Sequence, residues 1–187
     1  LPLERVVEID INCGEPSISK NYNTVLNDLP DSVRIVRINT NACVRIKQIQ
    51  NLLEKNVAVI VTVSFDGIGN VHDYIRYPVK WNNFESNMLY YRELSTQYKM
   101  FTLDTWTTVS ALNVQHLPKI QEYCTANKIR HQFAFLKEPD MLNVKYKNWL
   151  TENTDIVGVA TDRDNTQELK IFLDFEESCR PGIERFW

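Results

Sequence analysis

The sequence predicts an α/β protein built on a parallel sheet, and three observations carry that expectation. Short runs rich in Val and Ile recur along the chain. Segments with helical spacing of apolar residues separate them, giving a period of roughly 25–30 residues. The most apolar run, Val57–Phe65 (VAVIVTVSF), is continuous and β-branched, as a strand covered on both faces requires. Right-handed crossovers then leave two architectures, an open doubly wound sheet or a curved barrel. The stretch after the first strand lacks G-x-G-x-x-G, which argues against a dinucleotide-binding domain.

Taken in order, Val6–Asn12 reads as a strand that stops at Cys13-Gly14-Glu15-Pro16. Glycine there permits a positive φ, and proline cannot donate to a ladder. Ile18–Leu29 reads as a helix capped by Ser17 or Ser19, and Val33–Ile38 as a strand ending in Asn39-Thr40-Asn41. Val44–Lys55 is a helix with Asn56 as its cap, and Val57–Phe65 is the third strand. Ile68–Val79 is expected to be a loop carrying His72, Asp73 and Arg76. Asn82–Lys99 is a helix, Met100–Ser110 a strand, Asn113–Asn127 a helix and Lys128–Leu136 a fifth strand. Lys137–Asn143 is a loop; beyond it the alternation fades, and Val144–Asn153 and Gln167–Ser178 look helical.

A chain of 187 residues can bury a real core, and 43% hydrophobic with 24% charged residues is ordinary for a globular protein. A net charge of −3 does not suit a general polyanion binder, so no nucleic-acid partner is expected. No apolar run reaches the roughly 18 residues of a membrane span. The opening residues show no signal-peptide pattern, so a cytoplasmic location is expected. Cys13, Cys43, Cys124 and Cys179 are too scattered for a local metal motif and read as reduced thiols; no metal ligand is assigned. The chain opens without Met and almost at once enters a strand, so further residues are expected upstream.

The residues just beyond the strands are polar: Gly14-Glu15-Pro16, Asn39-Thr40-Asn41, Ser64 with Asp66-Gly67, Ser110 with Asn113, and Lys137-Glu138-Pro139. The carboxyl ends of parallel strands are where ligands bind, although loops are polar in any α/β protein. Glu15 suits an ammonium group or a base, but taken singly it reads first as a solvated loop carboxylate. Asp66 before Gly67 suits a ligand, but Asp-Gly is a common turn and that reading is favoured. Arg76 suits a bidentate carboxylate clamp, and equally a free surface position. His72, His116 and His131 are too far apart in sequence for a metal site and read as structural or surface residues.

In one order and at one βα spacing, the chain carries Cys13-Gly14-Glu15-Pro16, Thr40-Asn41, Val63-Ser64-Phe65-Asp66-Gly67, Tyr74-Ile75-Arg76, Thr108-Val109-Ser110 and Asn113. This ordered set resembles the radical SAM family over about Val6–Leu142. The first motif is similar to that family's Gly-Gly-Glu-Pro with Cys13 for the first glycine. Thr40-Asn41 resembles its Thr-Asn-Gly, with Ala42 where glycine is usual. Arg76 and Lys80-Trp81 resemble a twitch-type subset. The resemblance implies a partial (βα)6 TIM-like barrel over residues 1–142, with about five strands visible, its first βα unit missing and helices on the outer face. Residues 143–187 would be a helical C-terminal extension.

The resemblance further implies S-adenosylmethionine across the strand ends. Gly14, Glu15 and Pro16 would line its amino group, Ser64 and Arg76 its ribose and carboxylate, and Asn113 its ribose or adenine. Asn41, Asp66 and Ser110 complete the expected binding set, and no catalytic residue is assigned. A four-iron four-sulfur cluster would belong to the full-length enzyme only, because the C-x-x-x-C-x-x-C loop that holds it in the family is not in this chain. The partners implied are a small-molecule or peptide substrate and a reductant such as flavodoxin or ferredoxin. The full-length enzyme would abstract hydrogen from its substrate, and this chain alone would be inactive. Two other readings compete: a non-catalytic binding module on the same barrel, and a hydrolase or lyase using Glu15 and Asp66 as an acid/base pair in one cleft.

Overall fold

The alternation of Val59, Val61 and Val63 with Ala58, Ile60, Thr62 and Ser64 fixes how the central strand sits. The three valines are fully buried and the four residues between them are half-buried. A strand points successive side chains to opposite faces, so one face of the sheet is sealed and the other is more open. This differs from the expectation of two equally covered faces. The open side tolerates Ile60 and Ala58 because they are only partly wetted.

The computed structural model describes residues 3–12, 14–144 and 166–179. After a 3₁₀ turn at Leu3–Arg5, the elements are β1 (Glu8–Ile11), α1 (Lys20–Asn27), β2 (Ile35–Thr40), α2 (Gln48–Glu54), β3 (Ala58–Ser64), α3 (Asn70–Ile75) and α4 (Trp81–Gln97). There follow β4 (Phe101–Val109), a 3₁₀ turn at Val114–His116, α5 (Leu117–Ala126), β5 (Arg130–Phe135), a 3₁₀ turn at Asp140–Leu142 and α6 (Thr166–Cys179). The sheet order is β1-β2-β3-β4-β5 and every pairing is parallel. Each strand therefore lies beside the next in sequence, which excludes the doubly wound order and leaves the singly wound, barrel-like α/β fold.

One core holds the helices to one face. Leu26 of α1, Leu52 and Leu53 of α2, Phe84, Met88 and Tyr91 of α4, and Ile120 and Cys124 of α5 cluster with Val36, Ile38, Val61 and Leu103 of the sheet. Burying a side chain of this size contributes about 1.5–3 kcal/mol. Tyr91 is fully buried, and its hydroxyl accepts from the Ile46 amide at 3.0 Å, tying α4 to the segment before α2. Burial raises the Tyr91 phenol well above its ordinary range, so it stays protonated.

Two expectations need correction. The segment Ile68–Val79 is not all loop, because α3 fills Asn70–Ile75. The helix expected from Asn113 begins as a 3₁₀ turn, and α5 proper starts at Leu117, with proline at its first turn where a missing N–H costs nothing. The helix expected at Val144–Asn153 lies outside the described residues. The one at Gln167–Ser178 is α6, which packs Leu173 against Tyr74 and Leu142 at the carboxyl end of the sheet.

Candidate functional site

The loop after β1 turns on Gly14, whose φ of +66° is one glycine takes without strain. It delivers Glu15 to the end of β2. Glu15 Oε1 accepts from the Ser17 amide at 3.0 Å and from the Thr40 hydroxyl at 2.6 Å, and Oε2 accepts from the Asn41 amide at 2.6 Å. A carboxylate has about four acceptor positions, so three donors leave little of it free. Glu15 thus clasps the β1 and β2 ends together. Any ammonium ligand here would rely on neighbouring backbone carbonyls as well. Thr40 also accepts from the Ala42 amide at 2.9 Å, and Asn41 Oδ1 accepts from the Cys43 amide at 2.9 Å. Ala42 has φ +53°, so the position where the resembling motif has glycine does adopt a left-handed backbone.

The ends of β3 and β4 form a second constellation. Asp66 is 4% exposed. Its Oδ1 accepts from the Thr108 amide at 2.9 Å and its Oδ2 pairs with the Arg76 guanidinium. Asn113, 1% exposed, donates to the Asp66 and Thr108 carbonyls, both at 3.0 Å, and accepts from the Ser110 amide at 2.7 Å. All polar capacity of Asn113 is engaged within the chain, so it positions the loops. Asp66 is neither a solvated turn residue nor an isolated acid, and Arg76 is not a free surface arginine. A Cβ on Gly67 would meet Val71 Cγ1 at 2.6 Å and the His72 amide nitrogen at 2.8 Å, so α3 packs directly on this loop. Gly67→Ala is expected to cost about 2 kcal/mol, seen as a lower urea midpoint; an unchanged midpoint would mean that α3 moves aside freely.

Between these strand ends and α6 lies a cleft of about 240 Å³. Asp66, Tyr74, Thr108, Ser110 and Glu176 give it polar edges, and Ile75, Leu112, Leu136, Leu142 and Phe172 give it apolar walls. Apolar walls with a few fixed polar groups suit a planar, hydrogen-bonding ligand. Of the predicted set, Asp66 and Ser110 line this cleft and Arg76 and Asn113 brace it. Gly14, Glu15, Pro16 and Asn41 gather at the β1 and β2 ends, and Ser64 lies level with Trp106 of β4. Glu15 does not line the Asp66 cleft, which removes the shared pocket that an acid/base pair would need.

Of the cleft's other residues, Tyr74 and Thr108 stand in the resembling motifs without an assigned role, and Leu136, Leu142, Phe172 and Glu176 have no site signal in the sequence. The signal at Thr108 is its place next to last in β4, two residues before Ser110. The α6 residues carry none.

The sheet face away from the helices is mixed: Asp10, Arg37, Asn39, Thr62 and Asp104 share it with Ile35, Ala58 and Ile60. One row of register partners runs Asn39, Thr62, Asp104, Arg130. Asp104, 5% exposed, is held by Arg130 through two hydrogen bonds, and Arg37 pairs with Glu8. Trp106 stands on the same face, 39% exposed. Such a face cannot pack as a dry barrel core.

Beneath the Arg76 segment, His72 is fully buried against Phe84, with ring centroids 4.2 Å apart, and Trp81 at 5.7 Å. Neither ring nitrogen has a hydrogen-bond partner. Burial, and then the Arg76 charge, lower its pKa to about 4. It is a neutral member of an aromatic cluster. Among the described residues no group of three or more His, Cys, Asp or Glu is placed to hold a metal ion. Cys43, Cys124 and Cys179 are free thiols, and burial raises the Cys124 thiol further from ionisation. The described residues therefore do not fit an iron–sulfur cluster, and Cys13 lies outside them. No described helix is long and apolar enough to cross a membrane.

No family model matches this sequence, and no curated protein does. Solved structures do match in fold. Streptococcus suis SuiB bound to S-adenosylmethionine aligns with a TM-score of 0.54 at 13% identity, covering 92% of this chain and 35% of SuiB. SuiB bound to the precursor peptide SuiA aligns with a TM-score of 0.52 at 15% identity, covering 92% and 36%. The chain thus spans about a third of the length of these proteins. At that identity the likeness establishes the fold: a parallel α/β sheet of the partial-barrel kind, arranged as in SuiB.

Proposed function

We propose that this chain supplies the S-adenosylmethionine-binding strand ends of a radical enzyme. The observation that carries the reading is the pairing of two constellations at one end of a singly wound parallel sheet. One is the clasp of Glu15 on Thr40 and Asn41; the other is the Asp66–Arg76–Asn113 brace beside an apolar-walled cleft. The motif order and the likeness to a fold seen with S-adenosylmethionine support it. The backbone at Gly14–Pro16 presents acceptors to the methionyl ammonium, Arg76 and Ser64 serve the carboxylate and ribose, and the cleft at Ser110 takes the adenine. In the full-length enzyme a four-iron four-sulfur cluster would supply the electron for the radical chemistry. The described residues offer no ligands for that cluster, so this chain's part is to bind, orient and shield. A small-molecule or peptide substrate meets the sheet face away from the helices, and a flavodoxin or ferredoxin is the reductant. SuiB, which shares the fold, is seen bound to a precursor peptide, and this favours the peptide.

The test is calorimetric titration of the chain with S-adenosylmethionine. Binding between about 10 μM and 1 mM is expected, with Glu15→Gln weakening it about tenfold by leaving a donor facing the Asn41 amide. Urea unfolding of the same variant separates lost affinity from lost fold. No heat from the folded wild-type chain would remove the proposal and leave a barrel used to bind some other molecule.

A further inference from the structure

Outside that site, the loop after β2 and the first half of α4 enclose an open groove of about 380 Å³. Arg45, Lys47, Asn83, Ser86 and Asn87 supply its polar lining, together with Cys43 and Val44, and no carboxylate lines it. Two cations in one groove stand out on a chain of net charge −3.

Arg45 is fixed in position. Its Nε donates to Asn87 Oδ1 at 3.0 Å, and its Nη2 donates to Ser86 Oγ at 2.9 Å. Its guanidinium lies 4.8 Å from the centre of the Tyr90 ring. Asn87 is 8% exposed and is itself anchored, donating to the Ala42 carbonyl at 2.8 Å. One edge of the fork is therefore held, and Nη1 carries two further donors.

Arg37, Arg76 and Arg130 are each neutralised by a carboxylate, whereas Arg45, like Arg34 and Arg92, is held by neutral groups. Arg45 differs from those two in lining a groove with a second cation, and among the described residues neither it nor Lys47 forms an ion pair. An oriented, uncompensated guanidinium loses little freedom when it takes an anion, and its planar fork matches a carboxylate. The groove is much larger than one carboxylate needs. Asn83 and Ser86 along it offer the donors and acceptors that peptide groups use.

We propose that this groove binds an acidic polypeptide segment. One Asp or Glu side chain of that segment sits on Nη1 of Arg45, with Lys47 as the second cation and Asn83 and Ser86 meeting the adjoining peptide groups. The inference goes beyond the S-adenosylmethionine reading and does not depend on it.

Fluorescence anisotropy with a labelled octapeptide of alternating Gly and Glu tests it at low salt. A Gly/Gln peptide of the same length is the control, and free glutamate and inorganic phosphate are the competitors. The acidic peptide is expected to bind at least tenfold more tightly than the control. Arg45→Gln and Lys47→Gln should each weaken it about tenfold, and Arg45→Lys should restore only part because it lacks the fork. Lys47 is exposed and its side chain caps no helix, so Lys47→Gln keeps the test valid if Arg45 variants fail to fold. Equal binding by both variants and wild type would overturn the proposal. So would equal displacement by free glutamate or phosphate at matched anion concentration, which would mark a small-oxyanion site. Titrating the variants with S-adenosylmethionine tells a failure here from a failure of the cofactor reading.

Discussion

Asp66→Ala is expected to lower the unfolding free energy by about 3 kcal/mol and to abolish ligand binding at the β3 and β4 ends. The carboxylate is 4% exposed and holds the Arg76 guanidinium and the Thr108 amide at once. Removing one partner of a buried pair strands the other without its countercharge, at about 3–5 kcal/mol. The Arg76 side chain keeps 27% of its exposure, so water compensates in part and the low end applies. Its Nε is buried with no hydrogen-bond partner, so little local rearrangement is available to help. Urea unfolding measures the loss. Adding Arg76→Met to Asp66→Ala should recover a substantial part of it, because the stranded charge goes too. A double variant no more stable than the single would show that the Thr108 contact, and not the ion pair, sets the cost.

Acidification should destabilise the protein through His72, by about 2 kcal/mol between pH 7.5 and pH 5. The ordinary histidine pKa is 6.5, and in the fold burial, then the Arg76 charge, bring it to about 4. Between those values the unfolded chain takes up a proton that the folded chain refuses, so stability falls as pH falls through the window. Above pH 6.5 the contribution is fully present, and below about pH 4 nothing more is lost from this group. The whole window is worth roughly 3 kcal/mol. His72→Phe keeps the stack on Phe84 and removes the proton site. Urea midpoints of both proteins at pH 7.5 and 5 isolate the effect from that of the carboxylates. Parallel losses in the two proteins would mean that His72 reaches solvent or a proton acceptor as readily folded as unfolded.

Much of the fold was readable because its signals are local. VAVIVTV can hardly be anything but a central strand, and the apolar spacing of Ile49, Leu52 and Leu53 places a helix before it. What failed was also local: Gly67, Gly69 and Pro78 frame Ile68–Val79 with loop punctuation, and only the packing of Val71, His72 and Tyr74 shows the short helix inside. The site was readable as a set of positions and not as a set of bonds. The β-strand period brings Glu15 near Asn41, but nothing in sequence says that its carboxylate is already occupied by Thr40. Asp66 and Arg76 are ten residues apart, and Arg45 and Asn87 are 42 apart. Such partners become visible only once the sheet has set the register.

The strand order also bears on how the molecule comes together during synthesis. With β1 beside β2, β2 beside β3 and so on to β5, each strand needs only the one made just before it. Loop-closure entropy is then met one βα unit at a time, and no early strand waits for a distant one. Each βα unit can dock as it leaves the ribosome, on an edge that is already present. The growing edge moves outward with each new strand, so a pause in translation between a strand and its successor leaves that edge open to misassembly.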